Sequence, residues 1–232
     1  MEKANVTGNR KKAENYRPIS VTSICCRTME KLIRYEIVNH LEHNQIISKN
    51  QHGFRKGYSC ATQLLTCLEE WTNAIDQGHD VDVIYTLNLK LPSTKCHIKD
   101  YLKKIWEYGI RGNLFNWVED FLKNRLQRVI VSGSQSGWGP VISGVLQGSV
   151  LGPVLFLVFI NDIPVNIQSP VYLFADDTKI CRTIKNNDDS NSLQDDIFEA
   201  CNWANKWQLT FNTNKCKHTQ QALNVESTLN QR

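Results

Sequence analysis

The chain has 232 residues and a formal net charge of +4, which is enough length for one large domain or two small ones with a buried core. Its apolar share of 41% and its charged share of 22% are ordinary for a soluble globular protein. The most apolar run, SVLGPVLFLVFI, covers 12 residues from Ser149 to Ile160 and is too short for a membrane-spanning helix.

The distribution of positive charge and the spacing of the cysteines indicate which partners and which cellular compartment to expect. Residues 1–60 contain 11 Lys and Arg against 5 Asp and Glu, a possible electrostatic footprint for nucleic acid. On charge alone, a solvated basic surface explains the excess equally well. The eight cysteines form no C-x-x-C pair and no zinc-finger spacing, and no signal peptide is recognisable. We therefore expect reduced thiols in an intracellular protein, cytoplasmic or nuclear.

In chain order, the hydrophobic pattern predicts helices and strands mixed in an α+β domain. The first 15 residues are polar and predict no regular structure. Helices are predicted over 28–44, 59–78, 112–125, 149–163 and 191–208, and strands over 80–87, 127–133, 139–145 and 209–212. The first two helices are predicted to bury Met29, Leu32, Ile33, Ile37 and Leu41, and Leu64, Leu68, Trp71 and Ile75, with Gly78 ending the second. A hairpin is predicted over 171–184.

The tip of that hairpin holds two adjacent carboxylates, Asp176 and Asp177, directly after an apolar strand. Asp is common in β-turns because its side chain accepts hydrogen bonds from nearby backbone N–H groups, so an ordinary turn is one interpretation. A metal site is the other, because Mg²⁺ prefers clustered carboxylate oxygens.

Five motifs in fixed order separate these interpretations. They are NYRPIS (15–20), QHGFRKGYSC (51–60), SGVLQGSVLGPVLF (143–156), LFADDTKI (173–180) and WQLTFNTNKCK (207–217). Together they resemble the reverse transcriptases of non-LTR retrotransposons, the jockey-like LINE elements. The resemblance implies a right-hand polymerase fold, with helical fingers over 1–80, a palm with an interleaved fingers segment over 81–217, and a divergent, disordered tail over 218–232.

The resemblance also implies roles for individual residues. Asp176 and Asp177 would hold Mg²⁺ in a two-metal site for nucleotidyl transfer, with Asp176 as the principal ligand, and Lys215 would assist the pyrophosphate leaving group. Template or nucleotide contacts would fall to Arg17, Arg55, Lys56, Gln147, Gly148, Ser149 and Phe174. The implied partners are an RNA template, a DNA primer and dNTPs. Simpler interpretations remain open for three of these residues. Lys215 could be an exposed lysine at the end of a strand, and Arg55 and Lys56 could form a solvated basic turn.

The pattern breaks at the central palm strand. Members of the family have an aspartate there, in a sequence that resembles LDFSKAFDKVPH. This chain has TLNLKLPSTKCH over residues 86–97, so Leu87 or Asn88 occupies the aspartate position. Asp82 lies five residues earlier and on the opposite face of the strand. A shifted reading frame between Thr86 and Lys103 permits, with synonymous codons, LEFKAAFDKVPHKRLLK. We hypothesise a frameshift near residue 86 that is compensated near residue 103, which the nucleotide sequence would decide.

The sequence therefore predicts a reverse transcriptase domain, an RNA-directed DNA polymerase, whose catalysis is impaired. The resemblance leads us to expect an upstream endonuclease domain and a thumb after the palm, and neither is recognisable in the sequence. A catalytically dead nucleic-acid-binding remnant and an unstable pseudogene product are the alternatives. No pattern in the sequence indicates an oligomeric state.

Overall fold

The computed structural model describes residues 2–6, 16–20, 22–85, 96–128, 130–131, 134–209, 211 and 216–221. They form two compact units. The first unit comprises residues 1–47 and 91–159, and the second comprises residues 48–90 and 160–232. The assignment of fingers and palm to residues 1–80 and 81–217 divides the chain differently and stays a prediction.

Helices and strands alternate along the described chain. The helices are α1 (Ile24–His43), α2 (Cys60–Asp76), α3 (Ile98–Glu107), α4 (Gly112–Leu122), α5 (Gly152–Ile160) and α6 (Asn187–Lys206), with a short 3₁₀ helix at Ile163–Asn166. The strands are β1 (Glu2–Val6), β2 (Tyr16–Ser20), β3 (Asp80–Tyr85), β4 (Arg125–Gln127), β5 (Ile130–Val131), β6 (Ser134–Gln135), β7 (Gly139–Val141), β8 (Val171–Phe174), β9 (Asp177–Ile184) and β10 (Lys217–Gln221). This mixture confirms the predicted α+β class.

Helix α5 lies in the core of the first unit. That helix is apolar on all sides and almost entirely buried, with Leu155 and Phe159 at 0% exposure, as expected for a helix enclosed by protein. The α3 side chains Tyr101 and Ile105 are also fully buried, and the Tyr101 and Phe159 ring centroids lie 4.7 Å apart. Small antiparallel pairs, β1 with β2, β4 with β7 and β5 with β6, complete this unit.

The second unit is built on a four-stranded antiparallel sheet in the order β10-β3-β9-β8. Helix α2 contacts β3 and β8, and α6 contacts β9. The core between α2 and the sheet consists of Cys67, Trp71, Ala74, Val81, Tyr172 and Cys181. Capping boxes begin α2 at Ser59 and α6 at Asn186, and these side chains satisfy the first backbone N–H groups of each helix.

The predicted inward faces of α1 and α2 were wrong in part. Ile37, Leu41 and Trp71 are buried as expected, and Gly78 follows α2 with a φ of 78°. The exposed residues include Met29, Leu32, Leu64 and Leu68, while Glu30, Gln63 and Cys67 are buried. Both helices carry leucines on more than one side, so apolar periodicity could not identify the side that packs.

Three stretches correct the predicted order of elements. Residues 2–6, expected to be irregular, form β1 by pairing with β2. The predicted strand at 209–212 reduces, in its described residues, to an isolated bridge at Phe211. Residues 218–221, expected to belong to a disordered tail, lie in β10, because their backbone pairs with β3 between Val81 and Ile84. Such pairing depends on a distant strand and leaves little local signal.

Candidate functional site

The two adjacent carboxylates lie at the tip of the β8–β9 hairpin. The ladder closes with Phe174 opposite Asp177, which leaves Ala175 and Asp176 as a two-residue loop. Asp176 and Asp177 are both half-buried. Below the tip, Leu173 and Ile180 have 0% exposure, so the apolar strands anchor the loop in the core. The predicted hairpin and the position of both aspartates are confirmed.

Strand β3 approaches the same tip with its carboxyl end. The last β3 residue paired with β9, Ile84, lies opposite Ile180, three residues from Asp177 on β9. Leu87 and Asn88, where the resemblance expects another carboxylate, follow β3 in the sequence and lie outside the described residues. The order and direction of these strands agree with a site that draws ligands from the hairpin and from the end of β3.

Asp82 does not take the place of that carboxylate. It lies opposite Arg182 in the β3–β9 ladder, five residues along β9 from Asp177. At 3.3 Å per residue, that separation is about 16 Å along the strand. The structure therefore agrees with the prediction that Asp82 lies too far from the hairpin tip to join its two carboxylates.

The basic loop, residues 53–57 (GFRKG), precedes α2 in the sequence. Arg55 holds the conformation of this loop. Its Nη1 donates hydrogen bonds to Ser48 O (3.1 Å) and Gln51 O (3.2 Å), and its guanidinium lies 4.4 Å from the centre of the Tyr58 ring. Arg55 is half-buried, whereas Lys56 is exposed. Arg55 therefore shapes this loop through backbone contacts, and Lys56 presents its charge to solvent.

His52 adds little positive charge to this loop. Burial and the neighbouring Arg55 lower the pKa of His52 below its usual value of 6.5, because both disfavour the protonated ring. The ring packs edge-on against Tyr58 at a centroid distance of 4.9 Å. At neutral pH the imidazole is therefore mainly uncharged, and Arg55 and Lys56 supply the loop's cations.

The loop Gln147–Ser149 belongs to the first unit and is fixed by its own hydrogen bonds. The Ser149 hydroxyl donates to Leu146 O (2.7 Å) and accepts from Gly152 N (2.9 Å), which caps the start of α5. The buried Glu30 carboxylate accepts from the two backbone N–H groups that follow the loop, Val150 N (2.6 Å) and Leu151 N (3.2 Å). The Ser149 hydroxyl thus serves the loop, while Gln147 is half-buried and Gly148 is exposed.

Some predicted site residues stay predictions. Lys215 lies outside the described residues, and Arg17 is described only as a backbone position of β2, opposite Asn5. Phe174 is half-buried beside the hairpin loop. The sequence did not indicate Gln51, which the structure buries against the hairpin, because a single glutamine outside any periodic pattern carries no signal of burial.

The described residues contain few groupings of metal-ligand side chains. No group of three or more His, Cys, Asp or Glu side chains in the described ranges is placed to hold a metal ion. Two adjacent carboxylates supply hard oxygen ligands of the type that Mg²⁺ takes, but they supply no third side-chain ligand. Separately, none of the helices in the described ranges is both long and apolar enough to cross a membrane.

Comparisons with known proteins agree with this geometry. Residues 9–227 match the family described as reverse transcriptase (RNA-dependent DNA polymerase). The chain is 27% identical over 217 residues to a probable RNA-directed DNA polymerase from transposon X-element of Drosophila melanogaster, which covers 87% of this chain and 23% of that protein. It is also 27% identical over 220 residues to the RNA-directed DNA polymerase from mobile element jockey of the same fly, covering 88% and 23%. The chain thus spans about a quarter of these relatives' length.

Solved structures share the fold at much lower identity. A telomerase from Candida tropicalis, in complex with a fragment of telomeric RNA, superposes with a TM-score of 0.68 at 9% identity, covering 96% of this chain and 41% of that one. The apo telomerase of the same yeast gives a TM-score of 0.64 at 10% identity, covering 91% and 43%. These likenesses confirm the predicted polymerase fold.

Proposed function

Because the chain belongs to the reverse transcriptase family and is a reverse transcriptase domain of the non-LTR retrotransposon type, we propose that it is an RNA-directed DNA polymerase domain with impaired nucleotidyl transfer. The observation that carries the proposal is the β8–β9 hairpin, which presents Asp176 and Asp177 together at its tip. A tight hairpin rooted in buried apolar residues is a rigid support for metal ligands.

The proposed metal ligands are the carboxylates of Asp176 and Asp177. When bound there, Mg²⁺ would activate a primer 3′-hydroxyl and neutralise charge on the incoming triphosphate. Each residue contributes carboxylate oxygens, and both side chains are half-exposed, which suits an exchangeable cation and a bulky substrate. The two residues would also orient the reacting groups by holding the cation in one place.

The proposed impairment of nucleotidyl transfer rests on the sequence that follows β3. Leu87 and Asn88 stand where the family resemblance expects an aspartate. A leucine offers no ligand and an amide oxygen is neutral, so two closely spaced cations would lack the negative charge that offsets their repulsion. Loss of one strong electrostatic contributor typically reduces turnover by about 10²–10³-fold.

The proposed partners are an RNA template, a DNA primer and dNTPs. The relatives are RNA-directed DNA polymerases by name, and one of the telomerase structures was solved with RNA. In this chain, exposed Lys56 and the neighbouring Arg55 provide cations in a loop that lies beside the hairpin strand β8. Phosphate contacts of this kind predict weak binding that falls steeply with salt, because each contact releases condensed counterions.

A nucleic-acid-binding domain without polymerase activity is the second candidate, and the absent aspartate favours it. Primer extension on an RNA template with Mg²⁺ and dNTPs, run beside fluorescence anisotropy on the same preparation, discriminates the two. Low incorporation that Asp176→Asn abolishes supports an impaired polymerase. Salt-sensitive binding with incorporation no higher than in Asp176→Asn supports the second candidate, and absence of both activities overturns the proposal.

The third alternative, an unstable pseudogene product, is tested by thermal unfolding. The described residues bury a continuous helix, α5, in the first unit and a four-stranded sheet in the second. We expect a cooperative unfolding transition followed by circular dichroism. A broad, non-cooperative change would support the unstable product instead.

A further inference from the structure

The segment Asn50–Gly53 forms an extra parallel edge beside hairpin strand β8. Leu173 N donates to Asn50 O (2.9 Å), and His52 N donates to Leu173 O (2.8 Å). The two bonds flank Gln51, which bridges to Leu173 in parallel orientation. This pairing places Gln51 beside Leu173, two residues before the first loop residue, Ala175.

The Gln51 side chain reaches the loop itself. Its Oε1 accepts hydrogen bonds from Gly53 N (2.6 Å) and from Ala175 N (3.1 Å), and the residue is only 1% exposed. Ala175 is the first loop residue, immediately before Asp176. A single buried amide oxygen thus joins the segment Asn50–Gly53 to the turn that bears the proposed metal ligand.

Ala175 adopts a conformation that requires support. Its φ is 53°, in the left-handed region that a residue with a Cβ rarely adopts. Two-residue hairpin loops favour glycine or asparagine at such positions. The Gln51 bond to Ala175 N fixes the peptide on the strained side of the loop, so the direction in which Asp176 leaves the turn depends on it.

Gly53 completes the contact by permitting close approach. A Cβ added at Gly53 would clash with Ala175 N, at a distance shorter than real Cβ contacts, and would lie 3.0 Å from Gln51 Oε1. Any side chain there would force the segment away from the loop. The Gln51 oxygen, the Gly53 backbone and the Ala175 backbone are therefore packed as one interlocked group.

The same segment carries the basic loop. Arg55 Nη1 donates to Gln51 O (3.2 Å), so the backbone oxygen of Gln51 binds the guanidinium while its side-chain oxygen binds the hairpin. A displacement of the basic loop would be transmitted to the turn through one residue.

We propose that Gln51 is a positioning residue, which sets the conformation of the Ala175–Asp176 turn and so orients Asp176 toward the divalent cation. The orientation toward a cation rests on the proposed function, whereas the effect on the turn does not. Gln51 contacts neither substrate nor metal in this proposal and acts through Ala175 N.

The first test needs no substitution. In the unmodified chain without metal, the Ala175 N–H should exchange with deuterium at least about tenfold more slowly than the exposed Gly57 N–H, after correction for intrinsic rates. Nuclear magnetic resonance resolves the two amides individually. Equal corrected rates would overturn the proposal, because a bond that fixes the turn must protect its donor.

The second test compares two buried glutamines of the same unit. Gln51 and Gln63 are 1% and 2% exposed, and Gln63 lies on α2, where no hydrogen bond to the hairpin loop is described. Gln51→Leu should raise exchange at Ala175 N–H about tenfold, whereas Gln63→Leu should leave it unchanged even though it also removes a buried amide. Gln51→Glu retains an acceptor oxygen and should restore protection. Equal effects of the two leucine variants would contradict the proposal.

The third test separates this inference from the proposed function. Mn²⁺ is titrated as a spectroscopic probe, with Asp176→Asn identifying binding at the hairpin. Gln51→Leu should weaken that binding about tenfold relative to Gln63→Leu. Equal Mn²⁺ affinity in these two variants would refute the role of Gln51 toward the cation. If the unmodified chain and Asp176→Asn bind Mn²⁺ equally, the metal site of the proposed function is wrong, and the exchange measurements still decide whether Gln51 sets the turn.

Discussion

Glu30 shows how one buried charge stabilises a loop. It is 1% exposed, and its Oε2 accepts from Val150 N and Leu151 N at the start of α5, where an anion also interacts favourably with the helix dipole. Glu30→Ala removes the acceptor for both N–H groups and should lower the free energy of unfolding by about 3 kcal/mol. Glu30→Gln retains one acceptor and should cost about 1 kcal/mol.

The matched control for Glu30 is Glu36→Ala, which removes an exposed carboxylate from the same helix. It should change the free energy of unfolding by less than about 0.5 kcal/mol. Urea unfolding followed by tryptophan fluorescence measures all three variants. Similar losses for Glu30→Ala and Glu36→Ala would show that the Glu30 contacts contribute nothing.

Cysteine reactivity should follow burial. Burial raises the pKa of Cys96 and of Cys181 from 9.0 to about 12, whereas Cys25, Cys26 and Cys60 are exposed. At pH 8 a thiol with a pKa near 12 is ionised to about one part in 10⁴, and the thiolate is the reactive form. We expect a thiol reagent to label the exposed three in the native protein and Cys96 and Cys181 only after unfolding. Mass spectrometry of rapidly labelled protein would contradict this if it found either buried cysteine modified.

At the scale of elements, Arg55 and Lys56 should behave differently although they are neighbours of equal charge. Arg55 binds two backbone carbonyls and packs on Tyr58, so Arg55→Ala should lower both the melting temperature and the affinity for nucleic acid. Lys56 is exposed, so Lys56→Ala should weaken binding, reduce the salt slope by about 1, and leave the melting temperature unchanged.

Lys185→Ala is the control for general charge. It removes one exposed lysine that directly follows Ile184, at the end of β9 farthest from the hairpin tip. Anisotropy with an RNA oligonucleotide over a series of salt concentrations, beside thermal unfolding, measures all three variants. If Lys56→Ala binds as tightly as Lys185→Ala, the loop is a solvated turn and not a nucleic-acid contact.

Elements with strong local patterns were predictable, and elements that depend on partners were not. The hairpin at 171–184 could be predicted because apolar strands flank a polar turn. The buried faces of α1 and α2 could not, because leucines such as Leu64 and Leu68 remain exposed while Gln63 and Cys67 are buried. Helix α3 was missed because the residues before it do not match the family sequence, yet Tyr101 and Ile105 on its inner face are fully buried. Within the site, the carboxylates carried a signal and Gln51 did not, since its burial depends on a turn 124 residues away.

At the scale of the whole chain, family membership and catalytic competence are separate matters. The family match runs from residue 9 to residue 227 and therefore includes the segment without the expected aspartate. The end of that segment forms regular structure, because α3 begins at Ile98 and buries Tyr101 and Ile105 in the first unit. Burial and strand pairing hold the described elements together, so the polymerase fold and the proposed impairment need separate tests.

The final prediction is that the unmodified chain incorporates dNTPs poorly. An aspartate at position 88 should raise incorporation only when the surrounding segment also matches the family sequence. Asn88→Asp alone should give little gain, because residues 89–102 also depart from the family text. Replacing residues 87–102 by LDFSKAFDKVPHKRLL should raise Mg²⁺-dependent incorporation on an RNA template. The matched control carries the same replacement with Asn retained at position 88, and it should be slower by about 10²–10³-fold. Because the two replaced chains differ in one side chain, their ratio isolates the carboxylate from any effect on folding. Robust incorporation by the chain as written would show that a polymerase of this family can work without that carboxylate, and it would refute the proposed impairment.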